Sequence, residues 1–207
     1  MLKRYTDILT KYGLEAEFNY IRKYNKSNKL PYHNLGHALQ VMYAVEKIFW
    51  TIHSKSDANL IKCRNMLIAA LFHDFNHSGG KHSDDVNINR AIDGLEEFSK
   101  YTGSDICVEI YSYIEATQFP YVNVLNIDKI YIDIMRDADL TQLTVPEYEK
   151  YALGLIDENY SKGATMEDYI IKFNDNHEYI LPASRKLFSQ LRENNINKLR
   201  VKYENQE

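Results

Sequence analysis

Residues 38–52, ALQVMYAVEKIFWTI, show most clearly which fold this chain adopts. Their apolar side chains fall at positions 38, 41, 42, 45, 48, 49 and 52, a pattern built from three- and four-residue spacings. Such spacing places the side chains on one face of an α-helix, whereas a half-buried strand would alternate every second residue. The segment therefore predicts an amphipathic helix, and Pro31 ahead of it suits a first helical turn.

The same period recurs along the chain, because eight glycines and four prolines leave long segments without a helix breaker. Ser56 is a candidate cap for a second helix that ends at Phe72. Residues 127–135 alternate in part, but their isoleucines also fit helical spacing. Further helices are predicted over residues 85–101, 104–117, 126–143, 145–160, 165–180 and 182–203. We expect an all-α, single-domain bundle of eight or nine helices over residues 1–207, with C-terminal helices 163–203 packing on a core at about 31–160.

Composition excludes several classes of protein. A length of 207 residues suffices for one domain with a substantial core. The net charge of -4 and the lack of a basic stripe argue against binding to a nucleic-acid duplex. No apolar run approaches the roughly 20 residues of a membrane span, and the N-terminus lacks a signal-peptide core, which predicts a soluble, cytoplasmic protein. Cys63 and Cys107 lie in apolar segments, so we expect buried thiols.

Histidines are concentrated in one part of the chain, since six of the seven lie between positions 33 and 82. In PYHNLGHALQV, residues 31–41, His33 and His37 share a face if both lie on the helix. In ALFHDFNHSGG, residues 70–80, His73 and Asp74 are adjacent and His77 follows. Each pair alone is more often a surface or core feature. Together, on two helices that must pack, they predict a divalent cation, because buried imidazoles and carboxylates without partners are costly.

An ion held by His37, His73 and Asp74 alone would lack negative charge. The segment MRDADLTQL, residues 135–143, supplies further carboxylates in Asp137 and Asp139. These two side chains point about 200° apart on a helix, so only one of them can face the ion. The other is predicted to cap a turn or to support a ligand histidine.

The order of these motifs resembles the HD superfamily of metal-dependent phosphohydrolases. YHNLGHALQV and HDFNHSGG are similar to segments of the cyclic nucleotide phosphodiesterases, and so are the later segments IEATQF, at 114–119, and DADL, at 137–140. The Tyr-rich segment EYEKYALGLIDENY, at 147–160, is similar to one in predicted HD phosphohydrolases. The resemblance covers about residues 31–160. Serine at position 78 departs from the proline that is usual in the phosphodiesterases.

The resemblance implies a role for each motif residue. His37, His73, Asp74 and Asp139 would hold the first of two divalent ions, and Asp74 would bridge to a second ion ligated mostly by water. His33 would be the general acid, and His77 would orient water or substrate. Mn, Mg, Fe and Zn all suit this mixed ligand set. Candidates for supporting or substrate contacts are Asn34, Thr117, Asp137, Lys81 and Asn87.

These residues predict a metal-dependent phosphodiesterase that hydrolyses a cyclic mononucleotide or a cyclic oligonucleotide. Hydroxide formed at the metals would attack phosphorus, and a histidine would protonate the leaving alkoxide. Two alternatives stay open: a nucleotide phosphomonoesterase with the same metals, and a non-catalytic nucleotide-binding protein, against which the complete ligand set speaks. Gln142 and residues 188–190 are weak candidates for contacts with the base of the nucleotide. Association into a homodimer also stays open.

Overall fold

The computed structural model describes residues 3–124 and 127–203, and these residues form ten α-helices and no strand. The helices are α1 (Lys3–Tyr12), α2 (Glu15–Tyr24), α3 (Leu35–Ile52), α4 (Asp57–Phe72), α5 (Asp84–Thr102), α6 (Val108–Glu115), α7 (Lys129–Asp139), α8 (Tyr148–Glu158), α9 (Phe173–Asn176) and α10 (Pro182–Tyr203). A π-helical segment, Met166–Lys172, leads directly into α9. The all-α prediction is confirmed, with more helices than the expected eight or nine.

Helices α3 and α4 form the centre of the molecule. Each begins at a side-chain cap: Asn34 Oδ1 accepts the Gly36 N–H at 2.8 Å, and Ser56 Oγ accepts the Asn59 N–H at 3.2 Å. The predicted apolar face of α3 is buried except for Ile52, the last residue of the helix, and from residue 63 to 72 of α4 only Arg64 is not buried. A helix that is apolar on all sides must be central, and most of the other helices pack against α3 or α4.

The C-terminal helices build a smaller apolar cluster beside the main one. Its buried members come from the 3-10 turn Gln142–Thr144, α8, the π-helical segment and α10, and they are Leu143, Ala152, Ile170, Ile196 and Leu199. Asn195 Nδ2 donates to the Leu143 carbonyl at 2.8 Å, which ties α10 to the chain just after α7. This packing brings the end of α8 and the π-helical segment next to the histidine-rich part of α3 and α4.

Two predicted helix starts are wrong. Pro31 precedes α3 instead of opening it, because the Asn34 side chain caps the helix and also donates to the carbonyls of Leu30 and Pro31. The helix predicted over 104–117 begins only at Val108. Sequence periodicity locates the interior of a helix, whereas its ends depend on local side-chain hydrogen bonds.

Two predicted C-terminal helices are shorter than expected. The predicted start at 126 lies outside the described residues, and α7 ends at Asp139, where Thr141 Oγ1 bonds back to the Ala138 carbonyl at 2.7 Å. The segment predicted as a helix over 165–180 divides into the π-helical segment, α9 and an extended stretch. That stretch cannot be helical, because the N–H groups of residues 180 and 181 donate to a side chain of α7.

The two cysteines have different environments. Cys63 is buried as predicted, but Cys107 is exposed at the start of α6, so the prediction of a buried thiol there is wrong. The two are unpaired. None of the described helices combines the length with the apolar character that crossing a bilayer requires.

Candidate metal centre

Four of the predicted metal ligands converge from three helices. His37 lies in the first turn of α3, His73 and Asp74 directly follow α4, and Asp139 is the last residue of α7. Because α3 packs against both α4 and α7, the ends of these helices bring the four side chains together. His37 and His73 are almost completely buried, at 1% and 2% exposure.

The ligand atoms of this cluster are close enough to share one ion. His37 Nε2 lies 3.0 Å from Asp139 Oδ1 and 3.3 Å from Asp74 Oδ2. His73 Nε2 lies 3.1 Å from Asp74 Oδ2 and 3.3 Å from Asp139 Oδ1. The two Nε2 atoms are 3.2 Å apart. Two imidazole nitrogens and two carboxylate oxygens therefore surround a single point.

The donor set fits a divalent cation. His73 Nδ1 donates to the Ala70 carbonyl at 2.9 Å, so its Nε2 can present a lone pair to the cluster. Asp74 Oδ2 is buried and has no hydrogen-bond partner among the described residues. A cation accepts both kinds of lone pair and compensates the two carboxylates, which a neutral group cannot do.

The charges of the cluster are strongly coupled. Burial lowers the pKa of His73, but the charges of Asp74 and Asp139 outweigh it and hold that pKa well above its ordinary value. Burial raises the pKa of Asp139, yet hydrogen bonds and charge from His37 and His73 hold it far below its usual range. The carboxylates are thus ionised, and an ion that binds here must displace a proton from His73.

Asp137 lies on the same helix as Asp139 but faces away from the histidines. Its Oδ1 accepts the Ile180 N–H at 2.7 Å, and its Oδ2 accepts the Leu181 N–H at 2.8 Å. It therefore anchors the extended segment before α10 and supports no ligand histidine. The structure places Asp139, and not Asp137, beside His37.

His33 forms a second cluster with Glu158, the last residue of α8. His33 Nδ1 lies 2.5 Å from Glu158 Oε2, and Glu158 Oε1 accepts the N–H groups of Tyr32 at 2.6 Å and His33 at 3.0 Å. Burial lowers the pKa of His33, but the charge of Asp74 and the contact with Glu158 outweigh it and raise that pKa. The pair therefore favours a protonated His33.

Sequence reasoning missed Glu158 and misplaced His33. Glu158 lies 125 residues from its partner, in the Tyr-rich segment 147–160, and the resemblance of that segment assigned no role to a particular residue. His33 precedes the Asn34 cap, so it does not share a helical face with His37. The turn before α3 nevertheless brings the ring centroids of the two histidines to 6.1 Å. The turn before α3, and not helical spacing, therefore brings His33 close to His37.

His77 stacks on His33, with ring centroids 3.6 Å apart. The Gly79 N–H donates to His77 Nδ1 at 3.1 Å, so the proton of the neutral ring resides on Nε2. Burial, followed by the charge of His33, lowers the pKa of His77 to about 4. His77 is consequently neutral at pH 7 and presents an N–H donor.

In the part of the chain that the structure describes, two groups of side chains have ligand atoms close enough together to hold a cation. They are His37, His73 and Asp74, and His33, His77 and Glu158. In the second group one ring nitrogen of His33 already contacts Glu158, and one ring nitrogen of His77 accepts the Gly79 N–H. Its geometry suits proton donation better than metal ligation. The first group is the better metal site.

Both groups border one cavity of about 390 Å³. Besides the histidines and carboxylates, its wall includes polar side chains from α5, from the turn after α8 and from the chain after α7. It also has an apolar part, in which Phe119 and Phe173 meet edge to face with centroids 6.1 Å apart. Its lining includes Gly80, His82, Ser83, Asp84, Thr117, Phe119, Gln142, Asn159, Lys162, Ile170 and Phe173.

The remaining predicted contacts have different positions. Thr117 and Asn87 line the cavity, although Thr117 Oγ1 donates to the Ile114 carbonyl and Asn87 Oδ1 accepts the Ser78 N–H. Asn34 caps α3 and does not line the cavity, and Lys81 is exposed beside it. Asp84, with Oδ2 accepting the Phe119 N–H at 2.6 Å, is a cavity residue that sequence reasoning missed.

No protein-family model matches the chain, and neither does any curated protein.

Proposed function

We propose that this protein is a metal-dependent phosphohydrolase of the HD superfamily that hydrolyses a phosphodiester bond in a cyclic nucleotide. The observation that carries the proposal is the position of two imidazoles and two carboxylates beside the His33–Glu158 pair on one cavity. When bound at such a set, divalent cations polarise a phosphoryl group and activate water for attack on phosphorus. His37, His73, Asp74 and Asp139 would hold the ion.

His33 supplies the proton that the leaving group needs. An alkoxide departs slowly from phosphorus unless it is protonated, and a histidine that donates the proton accelerates this departure. Glu158 contacts Nδ1, so the Nε2 proton of His33 is the one available to the cavity. The short contact also fixes the orientation of the ring, which is a precondition for efficient transfer.

His77 serves as a neutral donor beside this acid. Because Gly79 engages Nδ1, the Nε2–H of His77 can bind a phosphoryl oxygen without adding a second positive charge next to His33. Because its ring is neutral, His77 cannot replace His33 as the acid. The two stacked histidines thus have separate tasks, one in proton transfer and one in orienting the substrate.

The apolar part of the cavity supports a nucleoside as the attached group. Phe119, Ile170 and Phe173 offer a surface on which a planar base can pack. The Oε1 atom of Gln142 is buried and has no hydrogen-bond partner within the described ranges, and the side chain lines the cavity. An N–H group on the ligand would satisfy this oxygen, and bases carry such groups.

A hydrolysis screen tests the proposal. Purified protein is supplemented in turn with Mn, Mg, Zn and Fe and offered 3′,5′-cyclic mononucleotides, cyclic di- and trinucleotides, and nucleoside monophosphates. We expect ring opening of at least one cyclic substrate with a divalent ion and none with a chelator. Release of inorganic phosphate from a monophosphate, with every cyclic substrate intact, would replace the proposal by the phosphomonoesterase alternative.

A variant tests the acid. His33→Ala should retain metal but lose turnover of a cyclic nucleotide by the ~10²–10⁴-fold typical of acid catalysis. With a nitrophenyl phosphodiester, whose phenolate leaves without a proton, the same variant should recover most of its rate. Equal losses on both substrates, or a loss of metal, would assign His33 to ligation or to structure.

A further inference from the structure

Two charged side chains in the cavity wall belong to neither histidine cluster. Lys162 lies in the turn after α8, and Asp84 is the first residue of α5. Within the described part of the chain, Lys162 makes no ion pair and Asp84 bonds only to the Phe119 N–H. The cavity therefore presents one free positive and one free negative group in addition to the proposed catalytic residues.

The turn that carries Lys162 is held by its own hydrogen bonds. The Lys162 N–H donates to the Asn159 carbonyl at 2.8 Å, and the Gly163 N–H donates to the Tyr160 carbonyl at 2.9 Å. Gly163 adopts a left-handed conformation with φ of 76°, which lets the chain reverse there. Because this turn begins directly after Glu158, its backbone holds Lys162 near the His33–Glu158 pair, and the Lys162 side chain is exposed at the edge of the cavity.

A second segment packs against this turn at Gly80. A Cβ atom on Gly80 would lie 2.5 Å from the Glu158 carbonyl oxygen and 2.9 Å from Asn159 Oδ1, so only glycine permits the contact. Residues 80–83 thereby reach the same rim of the cavity as Lys162. This segment adds His82 and Ser83 to the wall, and both are exposed, as is the neighbouring Lys81. The rim defined by residues 80–83 and 159–162 thus carries three basic side chains.

Charge decides which group of a ligand can occupy this rim. A phosphate placed near Asp84 would be repelled, whereas one placed near Lys162 is attracted and can also accept hydrogen bonds from His82 and Ser83. The net charge of the whole chain is -4, so a general positive field does not explain the basic rim. An anionic group of the ligand, separate from the phosphoryl group at the metal cluster, would be complementary in charge to this rim.

We propose that the cavity takes nucleotides with two separate phosphate groups, one at the metal cluster and the other at the rim formed by residues 80–83 and 159–162. This inference rests on the proposed function, because it assumes a phosphoryl group at His37, His73, Asp74 and Asp139. It narrows the substrate class to nucleotides such as a cyclic dinucleotide or a nucleoside bisphosphate, and it disfavours cyclic mononucleotides, which carry a single phosphate.

Calorimetric titration of the Mn-loaded protein tests the inference without requiring turnover. The probes are adenosine 5′-monophosphate, adenosine 3′,5′-bisphosphate and cyclic di-AMP, together with their guanosine counterparts. We expect one of the two-phosphate ligands to bind about fivefold tighter than the monophosphate, as for a partly exposed ion pair. High salt should reduce this advantage. Which of the two ligands gains more distinguishes a bisphosphate from a cyclic dinucleotide.

Variants of Lys162 identify the source of the advantage. Lys162→Gln should abolish it while leaving the affinity for the monophosphate unchanged, and Lys162→Arg should retain most of it. Lys55→Gln, at an exposed lysine outside the cavity, is the matched control and should behave as the unaltered protein.

Two results would contradict the inference in different ways. If the monophosphate binds to the Mn-loaded protein but the second phosphate adds nothing, or if Lys162→Gln weakens all ligands equally, the second subsite is refuted and the proposed function stands. If none of the nucleotides binds, both the subsite and the proposed function are refuted.

Discussion

Replacing Glu158 by glutamine tests how the structure controls the acid. The amide of Glu158→Gln has nearly the shape of the carboxylate, and its oxygen can still accept the N–H groups of Tyr32 and His33. Its NH₂ group, however, would face His33 Nδ1 and favour the ring that lacks a proton there. The substitution therefore removes the negative charge that stabilises protonated His33 and leaves the fold of the turn in place.

The expected magnitude follows from the contact. Glu158 and His33 lie 2.5 Å apart with side chains only 2% and 17% exposed, so solvent screens their interaction little. A hydrogen bond between charged groups contributes about 1.5–3 kcal/mol. Loss of that stabilisation from the acid corresponds to a roughly 10- to 100-fold fall in kcat, at about 1.4 kcal/mol per factor of ten.

The assay is kcat against pH for whichever cyclic substrate the screen identifies. Glu158 contributes to the raised pKa of His33, so its loss lowers that pKa and protonated His33 disappears at a lower pH. The basic limb of the profile should therefore move to lower pH. Metal content should not change. Asp157→Asn, which removes the same charge at the exposed neighbouring position, is the control and should leave the profile as it was.

Two outcomes would refute this reasoning. A variant with full kcat and an unchanged basic limb would show that Glu158 only holds the backbone of the turn. An equal loss of rate with a nitrophenyl phosphodiester, which needs no acid, would show that the substitution damages a step other than proton transfer.

Three further outcomes are expected. Asp139→Ala should lose most of the bound metal, as measured by elemental analysis. Asp137→Ala should keep the metal and instead have a lower melting temperature, since Asp137 anchors residues 180 and 181. The reverse pattern would exchange the roles of the two aspartates. Metal affinity, measured by competition with a chelator, should fall as the pH is lowered from 8 to about 5, because the ion must displace the proton of His73, whose pKa is raised; a flat profile would exclude His73 as a ligand. Gly80→Ala should lower the free energy of unfolding, measured in urea, by about 2–4 kcal/mol, because it adds both backbone strain and overpacking. Gly103→Ala should lower it by only about 1–2 kcal/mol, because φ is also positive there but no described atom lies within 4 Å of the added Cβ. Equal losses would show that the contact of Gly80 with α8 contributes nothing.

Much of the helical architecture was predictable because helix formation follows local side-chain spacing. The periodicity of α3 and the Ser56 cap of α4 were both read correctly from the sequence. Helix ends were less predictable, and the segment 165–180 shows why. The residues after α9 are extended because Asp137, more than 40 residues away, accepts the N–H groups of residues 180 and 181, and no local pattern encodes such a contact.

By itself, the sequence determined that the chain is all-α and which histidines and aspartates to examine, because both depend on residue types at short, fixed spacings. Only the tertiary structure decided between Asp137 and Asp139, since that choice depends on how α7 is rotated against α3. It also decided that Glu158 contacts His33 and that Lys162 reaches the cavity rim. Glu158 and His33 are more than 100 positions apart, and Lys162 lies in a loop without periodicity. Only the packing of α8 beside the turn before α3 creates these contacts.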